Sequence, residues 1–363
     1  MNIKNQVESW WWSIDKWILF STFLLIIIGC ILILSGANSI ERKYSYNEGY
    51  FFKKHLIFVP IAISVILCSS MLSIRHIIIL SIIMFVIFLV LSFIPLFQSE
   101  IKGASRWIKF FNFTIQPSEF LKPTYIICSA LLLSRFKKKN DNSFLINFFI
   151  ISVIGLILFL QPDFGMFILI FVTWFLQILL MGLSIKIILS IIFFGLIVSC
   201  ISFFTHDHIK FRVYNFFDAD IGDNYQINRS LDAFSNGGAF GKGIGAGTYS
   251  KKLPDVHSDF IFALAGEELG FIFLCMILLL YIILIYRVVV LLLKEDNLFI
   301  FLSASSLIIT LIFQSLINIC STLNMIPTKG MTLPFLSYGG SSLISCSLII
   351  GFILSLTKKK RQI

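Results

Sequence analysis

Stretches of about 20 apolar residues recur along the whole chain, divided by polar breaks, and each is long enough to cross a bilayer as a helix. The runs lie at roughly 17–37, 55–73, 77–98, 119–135, 144–161, 163–182, 185–204, 260–290, 298–323 and 339–357. Hydrocarbon offers no partner for a bare backbone N–H or C=O, so each run predicts an α-helix and a barrel is excluded. The fold class that follows is an all-α polytopic membrane protein of about ten transmembrane helices, with a large extracytoplasmic loop between the seventh and the eighth.

Composition agrees with this pattern. Of the 363 residues, 58% are hydrophobic and 13% charged, with a mean hydropathy of +0.93, more apolar surface than a soluble domain of this size buries. The first run has no small-residue cleavage site and matches a spanning helix in length, so it is expected to stay in the membrane. No repeat of about 20–50 residues is visible, and 1–363 read as one integral domain with tails at 1–16 and 358–363.

Charge sets the expected orientation. Arg135, Lys137, Lys138 and Lys139 follow the fourth run, Arg287 and Lys294 the eighth, and Lys358 to Arg361 the last. All fall on one side, which the positive-inside bias assigns to the cytoplasm together with both tails. The breaks 38–54, 99–118, 205–259 and 324–338 then lie outside. The formal net charge of +10 reflects this bias and an affinity for anionic headgroups; basic residues do not alternate with aromatics, so nucleic acid is not an expected partner. Seven cysteines stand singly in apolar segments, without metal or redox spacing, and read as buried thiols. Trp10, Trp11, Trp12 and Trp17 predict an interfacial belt at the inner surface.

Chemistry is expected where polar residues gather outside. The break 205–259 is longer than a connection needs and carries His206, His208, Arg212 and Arg229. Within it, residues 236–247 hold six glycines in twelve positions. No strand precedes them and no GK[ST] follows, so a nucleotide-binding loop is rejected. Two readings remain: a flexible loop, or a backbone whose N–H groups approach a phosphate closely with Lys242 as counter-charge.

The eighth run, from Phe260 to about Leu293, would make a helix of roughly 50 Å against a hydrocarbon core of ~30 Å, so it must overshoot or tilt. Counting about 20 residues outward from Arg287 places Glu267 and Glu268 near the outer interface and Asp259 at headgroup depth. A carboxylate there is a functional candidate, with an ordinary N-cap of the helix beginning at Phe260 as the bland alternative. Asp259 and Glu267 are about 12 Å apart along the axis and do not form a proton-sharing dyad. Glu119 and Lys122, at i,i+3, form either a self-contained pair or a site in which Lys122 reaches Asp259 in an outward-facing cavity and holds it ionised. Asp163, in the turn between the fifth and sixth runs, either caps the sixth or joins the same cluster.

Six ordered motifs over 103–342 carry a resemblance. They are GASRWI at 103–108, QPSEFLK at 116–122, QPDFG at 161–165, SNGGAFGKG at 235–243, LPDVHSDFIF at 253–262 with GEELG at 266–270, and PTKGMTLPFLSYGGSS at 327–342. Together they resemble the SEDS family (shape, elongation, division and sporulation), and the wording at 327–335 and 266–270 is most like its division member.

The resemblance implies a peptidoglycan glycosyltransferase that polymerises lipid II at the outer face of a bacterial cytoplasmic membrane, releasing undecaprenyl pyrophosphate. It also implies work at the division septum with a class B penicillin-binding transpeptidase and other divisome membrane proteins. The family's essential aspartate matches Asp259, which would act as general base on the acceptor sugar hydroxyl. Arg106, Lys122, Lys242 and Lys329 are the expected partners of the pyrophosphate, with Glu119, Asp163, Asp255, His257, Glu267 and Glu268 in support. Asp255 replaces the usual glutamate and Ser258 the usual threonine; the shorter Asp255 puts any contact of that carboxylate in doubt. No cofactor is demanded, although a divalent cation, Mg or Mn, could share the leaving-group charge. Three alternatives compete: an elongation-type polymerase of the same family, a lipid II flippase, and a non-enzymatic division scaffold. A flippase would need an inner polar cavity, yet the inner loops are short. A scaffold would have no use for an acid at headgroup depth.

Overall fold

The structure is a computed structural model, which describes residues 3–43, 47, 49–97, 106–110, 113–139, 141–183, 185–205, 210, 214, 225–327 and 330–358. Its helices are α1 (Ile3–Ser13), α2 (Lys16–Lys43), α3 (Tyr50–Met71), α4 (Ile74–Leu91), α5 (Pro117–Lys139), α6 (Ser143–Leu160), α7 (Phe164–Met181), α8 (Ile185–Thr205), α9 (Tyr225–Gly237), α10 (Ile261–Leu292), α11 (Leu298–Thr322) and α12 (Gly340–Leu356). Ten of these, α2 to α8 and α10 to α12, coincide with the ten apolar runs. Among the described residues, seven are long and apolar enough to cross a membrane by themselves. Of the others, α5 carries Glu119, Lys122 and a basic run at its end, and α12 has only 17 residues.

Three features depart from a plain bundle with loops. Helix α1 forms within the N-terminal tail and α9 within the large loop. Strands β1 (Ile108–Phe110) and β2 (Phe113–Ile115) make an antiparallel hairpin in the 99–118 break, with Ile108 opposite Ile115. Side chains start several helices by accepting a free backbone N–H, as Ser73 does for α4, Asp163 for α7 and Asn297 for α11.

Helices α11 and α12 form the centre. Helix α12 packs on α3, α5 and α11, while α11 also packs on α5, α7 and α10, and α10 lies against α2. Small residues bring backbones together: a Cβ at Gly351 would stand 1.7 Å from Ser69 Oγ, and one at Gly29 would stand 2.4 Å from the Phe335 carbonyl. Large apolar side chains cover the outside, among them Phe193 and Leu196 of the rim helix α8 and Phe271 and Ile272 of α10, as a lipid-facing surface requires.

The two ends of the bundle differ. At one end the connections 14–15, 72–73 and 293–297 are short, Arg287 pairs with Asp15 (Nε to Oδ2 3.1 Å), and α5 ends in the basic run Lys137–Lys139. At the other end the chain between α4 and α5, between α8 and α10 and between α11 and α12 is long, while the 161–163 turn is short, and it is there that polar side chains turn inward.

Candidate functional site

Asp259 sits on a turn just before α10. Asp255, in the left-handed region at φ 55°, starts that turn, and its carbonyl accepts from Ser258 N and Asp259 N at 3.0 Å each. Aspartate tolerates this conformation better than most side chains, so the residue in the position usual for glutamate serves the backbone. The N-cap position of α10 belongs to Phe260, one residue later, so the ordinary capping duty is not what places Asp259 there.

A re-entrant stretch, 330–339, holds the turn from the other side. Ser337 Oγ donates to the Ser258 carbonyl (2.5 Å), Tyr338 N donates to the His257 carbonyl (2.8 Å), and Asn318 Nδ2 of α11 donates to the Asp259 carbonyl (2.9 Å). A Cβ at Gly330 would stand 2.9 Å from Asp259 Oδ2, so this glycine leaves room for the half-buried carboxylate. The buried His257 ring packs between Phe51 and Tyr338, tilted 44° to each, with centroids at 4.6 and 5.1 Å. Burial pushes the Tyr338 hydroxyl up to about 12, which keeps it neutral.

Further along α10 the helix breaks. Gly270 adopts φ 83°, ψ 173°, and the segment from Ile261 to Glu268 before it is buried. The remaining residues, 271–292, measure about 33 Å as a helix, close to a hydrocarbon core, so a break resolves the excess length that a tilt was expected to absorb. Breaking a helix frees backbone groups that must find new partners. The glycine-rich loop supplies them: Lys242 N and Gly243 N donate to the Glu267 and Glu268 carbonyls (3.0 and 2.9 Å), while Phe271 N and Ile272 N donate to the Gly238 and Ala239 carbonyls (2.9 and 3.1 Å).

This corrects both readings of that loop. Its glycines permit backbone contact with α10, since a Cβ at Gly241 would lie 2.3 Å from the Glu268 carbonyl and one at Gly270 the same distance from Gly241 N. The amides of Lys242 and Gly243 are committed to the helix rather than offered to a phosphate. Only the exposed side chain of Lys242 is left to act as counter-charge.

Glu267 and Glu268 are consumed by the same architecture. Glu267, 0% exposed, accepts from Asn236 Nδ2 (2.7 Å) and from the backbone amides of Thr248, Tyr249 and Ser250 (2.9, 3.0 and 2.8 Å). Glu268 accepts from Ser35 Oγ of α2 (2.6 Å).

A second cluster joins α5, α7, α11 and α12. Lys122, 0% exposed, forms an ion pair with Glu119 Oε2 (2.6 Å) and donates to Gln314 Oε1 (2.8 Å). The expectation that Lys122 reaches Asp259 is therefore replaced by the self-contained pair, extended by Gln314, which encloses the ammonium. Asp163 caps α7 through Met166 N (3.4 Å), accepts from Gln116 Nε2 (3.2 Å) and lies 3.6 Å from the Arg106 guanidinium. Gln116 N in turn donates to Ser341 Oγ (3.1 Å), which ties this group to the end of α12 beside the re-entrant stretch.

Lys329, His206, His208 and Arg212 lie outside the described residues, as does 103–105 of the first motif. Among the described residues no three histidine, cysteine or carboxylate side chains converge as metal ligands. Gln314, Asn318, Gly330 and Ser337 were not singled out from sequence; the polar pair Gln314 and Asn318, one turn apart inside an apolar run, was the available signal.

An apolar helical bundle that turns buried ion pairs and one firmly held, half-buried carboxylate toward a single end is a multi-pass membrane protein with a polar site. Its sequence matches the profile of cell cycle proteins of the FtsW/RodA/SpoVE type over residues 16–362, and the chain belongs to that family. It is 34% identical to the probable peptidoglycan glycosyltransferase FtsW of Caulobacter vibrioides over 357 residues, covering 97% of this chain and 91% of that protein. The protein of the same name from Coxiella burnetii is 31% identical, covering 94% and 96%. In fold the chain is similar to a chain of a peptidoglycan synthase complex that coordinates polymerization and crosslinking (TM-score 0.78, 22% identity, 95% of this chain and 97% of that one). It is similar also to the rod shape determining protein RodA of Thermus thermophilus (TM-score 0.71, 22% identity, 96% and 97%).

Proposed function

We propose that this chain is a peptidoglycan glycosyltransferase that polymerises lipid II at the outer face of a bacterial cytoplasmic membrane, in the division branch of its family. The observation that carries the reading is the placement of Asp259: a half-buried carboxylate on a turn whose backbone is held by Asn318, Ser337 and Tyr338. Preorganisation of this kind suits a general base, whose reach must be fixed to within a hydrogen bond of the proton it removes. The basic residues at the opposite end of the bundle support placing Asp259 outside, with both tails in the cytoplasm.

In the reaction, the acceptor sugar's 4-hydroxyl oxygen attacks the anomeric carbon of the donor. Asp259 takes the hydroxyl proton, the glycosidic bond forms with inversion, and the bond to the lipid pyrophosphate breaks. Arg106 and Lys242, with Lys329, are the cations for the departing pyrophosphate. Lys122 and Glu119 brace the neighbouring helices. Undecaprenyl pyrophosphate leaves and the glycan lengthens by one unit. The synthase complex that shares the fold, in which polymerization is coordinated with crosslinking, supports a crosslinking partner, and the family resemblance makes it a transpeptidase of the class B penicillin-binding type.

The test is polymerisation of lipid II by purified protein, followed by gel separation of the glycan. Asp259→Asn should fold and embed normally yet lose about 10²- to 10⁴-fold in rate, the usual contribution of a positioned base. Polymer formation at the wild-type rate by this variant would contradict the proposal.

A further inference from the structure

We infer that Asn318, together with Gln314 one turn earlier on α11, is a positioning residue that fixes the Asp259 turn to the re-entrant stretch. This rests on the assignment of Asp259 as the base and adds the device that holds it.

The geometry is that of a clamp with two prongs. Asn318 Nδ2 donates to two carbonyls at once, that of Asp259 (2.9 Å) and that of Met331 (2.6 Å). Gln314 Oε1 accepts from Lys122, and its Nε2 donates to Thr332 O (3.0 Å), Thr332 Oγ1 (3.2 Å) and Ser342 Oγ (3.3 Å). Residues four apart on a helix share a face, so the two amides grip successive residues, 331 and 332, of the same stretch. One prong carries the backbone of the catalytic turn and the other carries the Lys122–Glu119 pair.

The chemistry explains why amides stand at these positions. Lysine only donates, so Gln314 must turn its oxygen to Lys122 and its nitrogen to Thr332. Both partners of Asn318 are carbonyls, so only a donor fits between them, and a carboxylate of the same shape would set acceptor against acceptor. Asn318 is 1% exposed and its own Oδ1 has no hydrogen-bond partner among the described residues. A residue kept for packing would rarely leave a buried acceptor unused; one kept for the two bonds of its nitrogen would. Just before the gripped pair stands Gly330, whose missing side chain leaves room for the Asp259 carboxylate.

Two readouts on the full-length protein in nanodiscs test the clamp. In Asn318→Ala, amide hydrogen exchange should quicken at least about 10-fold in peptides spanning both 255–262 and 330–338, and remain as in wild type in α6 and α7. In lipid II polymerisation, kcat should fall about 10- to 100-fold while KM moves less than about 3-fold, as expected when a base is misplaced without loss of binding. Asn318→Ser, which retains a single donor, should lie between, and it carries the test if the alanine variant does not fold. Unchanged exchange in either segment, or a kcat loss matched by the loss of folded protein, would overturn the clamp. If wild-type protein forms no glycan, the enzymatic reading fails, while the exchange result still judges the coupling of the two segments.

Discussion

The Asp259 turn and the Gly270 break lie eleven residues apart at the start of α10, and both are places where loop backbone meets acidic side chains. At the break, Glu267 is fully enclosed and its oxygens are occupied by loop amides; it splices the glycine-rich loop to the helix. At the turn, the surrounding groups grip the backbone of residues 257–259, and the Asp259 carboxylate stands half-buried against a glycine. The difference separates architecture from the proposed chemistry: a fully enclosed carboxylate bonded by loop amides holds structure, whereas a half-buried one on a turn fixed through its backbone is the one proposed to exchange a proton.

Several variants sharpen or break this contrast. The largest effect expected is on rate, the loss in Asp259→Asn, with a melting temperature in detergent within a degree or two of wild type; a large drop in melting temperature would make Asp259 structural like Glu267. Glu267→Ala should show the converse, losing about 3 kcal/mol or more because the amides of Thr248, Tyr249 and Ser250 are stranded at about 1–3 kcal/mol each, seen as an early thermal transition. Gly270→Ala should cost about 2 kcal/mol, since alanine resists the positive φ and its Cβ meets Gly241 N; an unchanged transition would show that the loop is not spliced to the helix as described. Arg287→Ala, at the opposite end, should shift stability by no more than about 1 kcal/mol and leave polymerisation alone, because the guanidinium is partly exposed and the buried Asp15 keeps the amides of Trp17 and Ile18 as partners.

Much of the fold was legible in the sequence because lipid imposes a simple rule: an apolar run of spanning length is a helix. The ten runs reappear as ten helices, while the excess length of the eighth was read as an overshoot or a tilt and is instead taken up by a departure at Gly270. Its form, a break, could not be read, since the partners that satisfy it lie about 30 residues earlier in a loop whose glycines point equally to flexibility. Lys122 illustrates the same limit. Its i,i+3 pairing with Glu119 is local and was foreseen, but Gln314 lies 192 residues away, and only the packing of α5 on α11 brings them together. Helices α1 and α9 were missed because their mixed, largely polar composition matches that of a loop, and the hairpin because its strands are only three residues each.

The most direct measurement asks which side of the membrane position 259 faces. In a functional background with the seven native cysteines replaced, Asp259→Cys should react with a membrane-impermeant maleimide added to intact spheroplasts, and a control cysteine at Lys294 should react only after the membrane is opened. Protection of position 259 until lysis, with labelling at 294 from outside, would contradict a base that meets lipid-borne sugar at the outer surface.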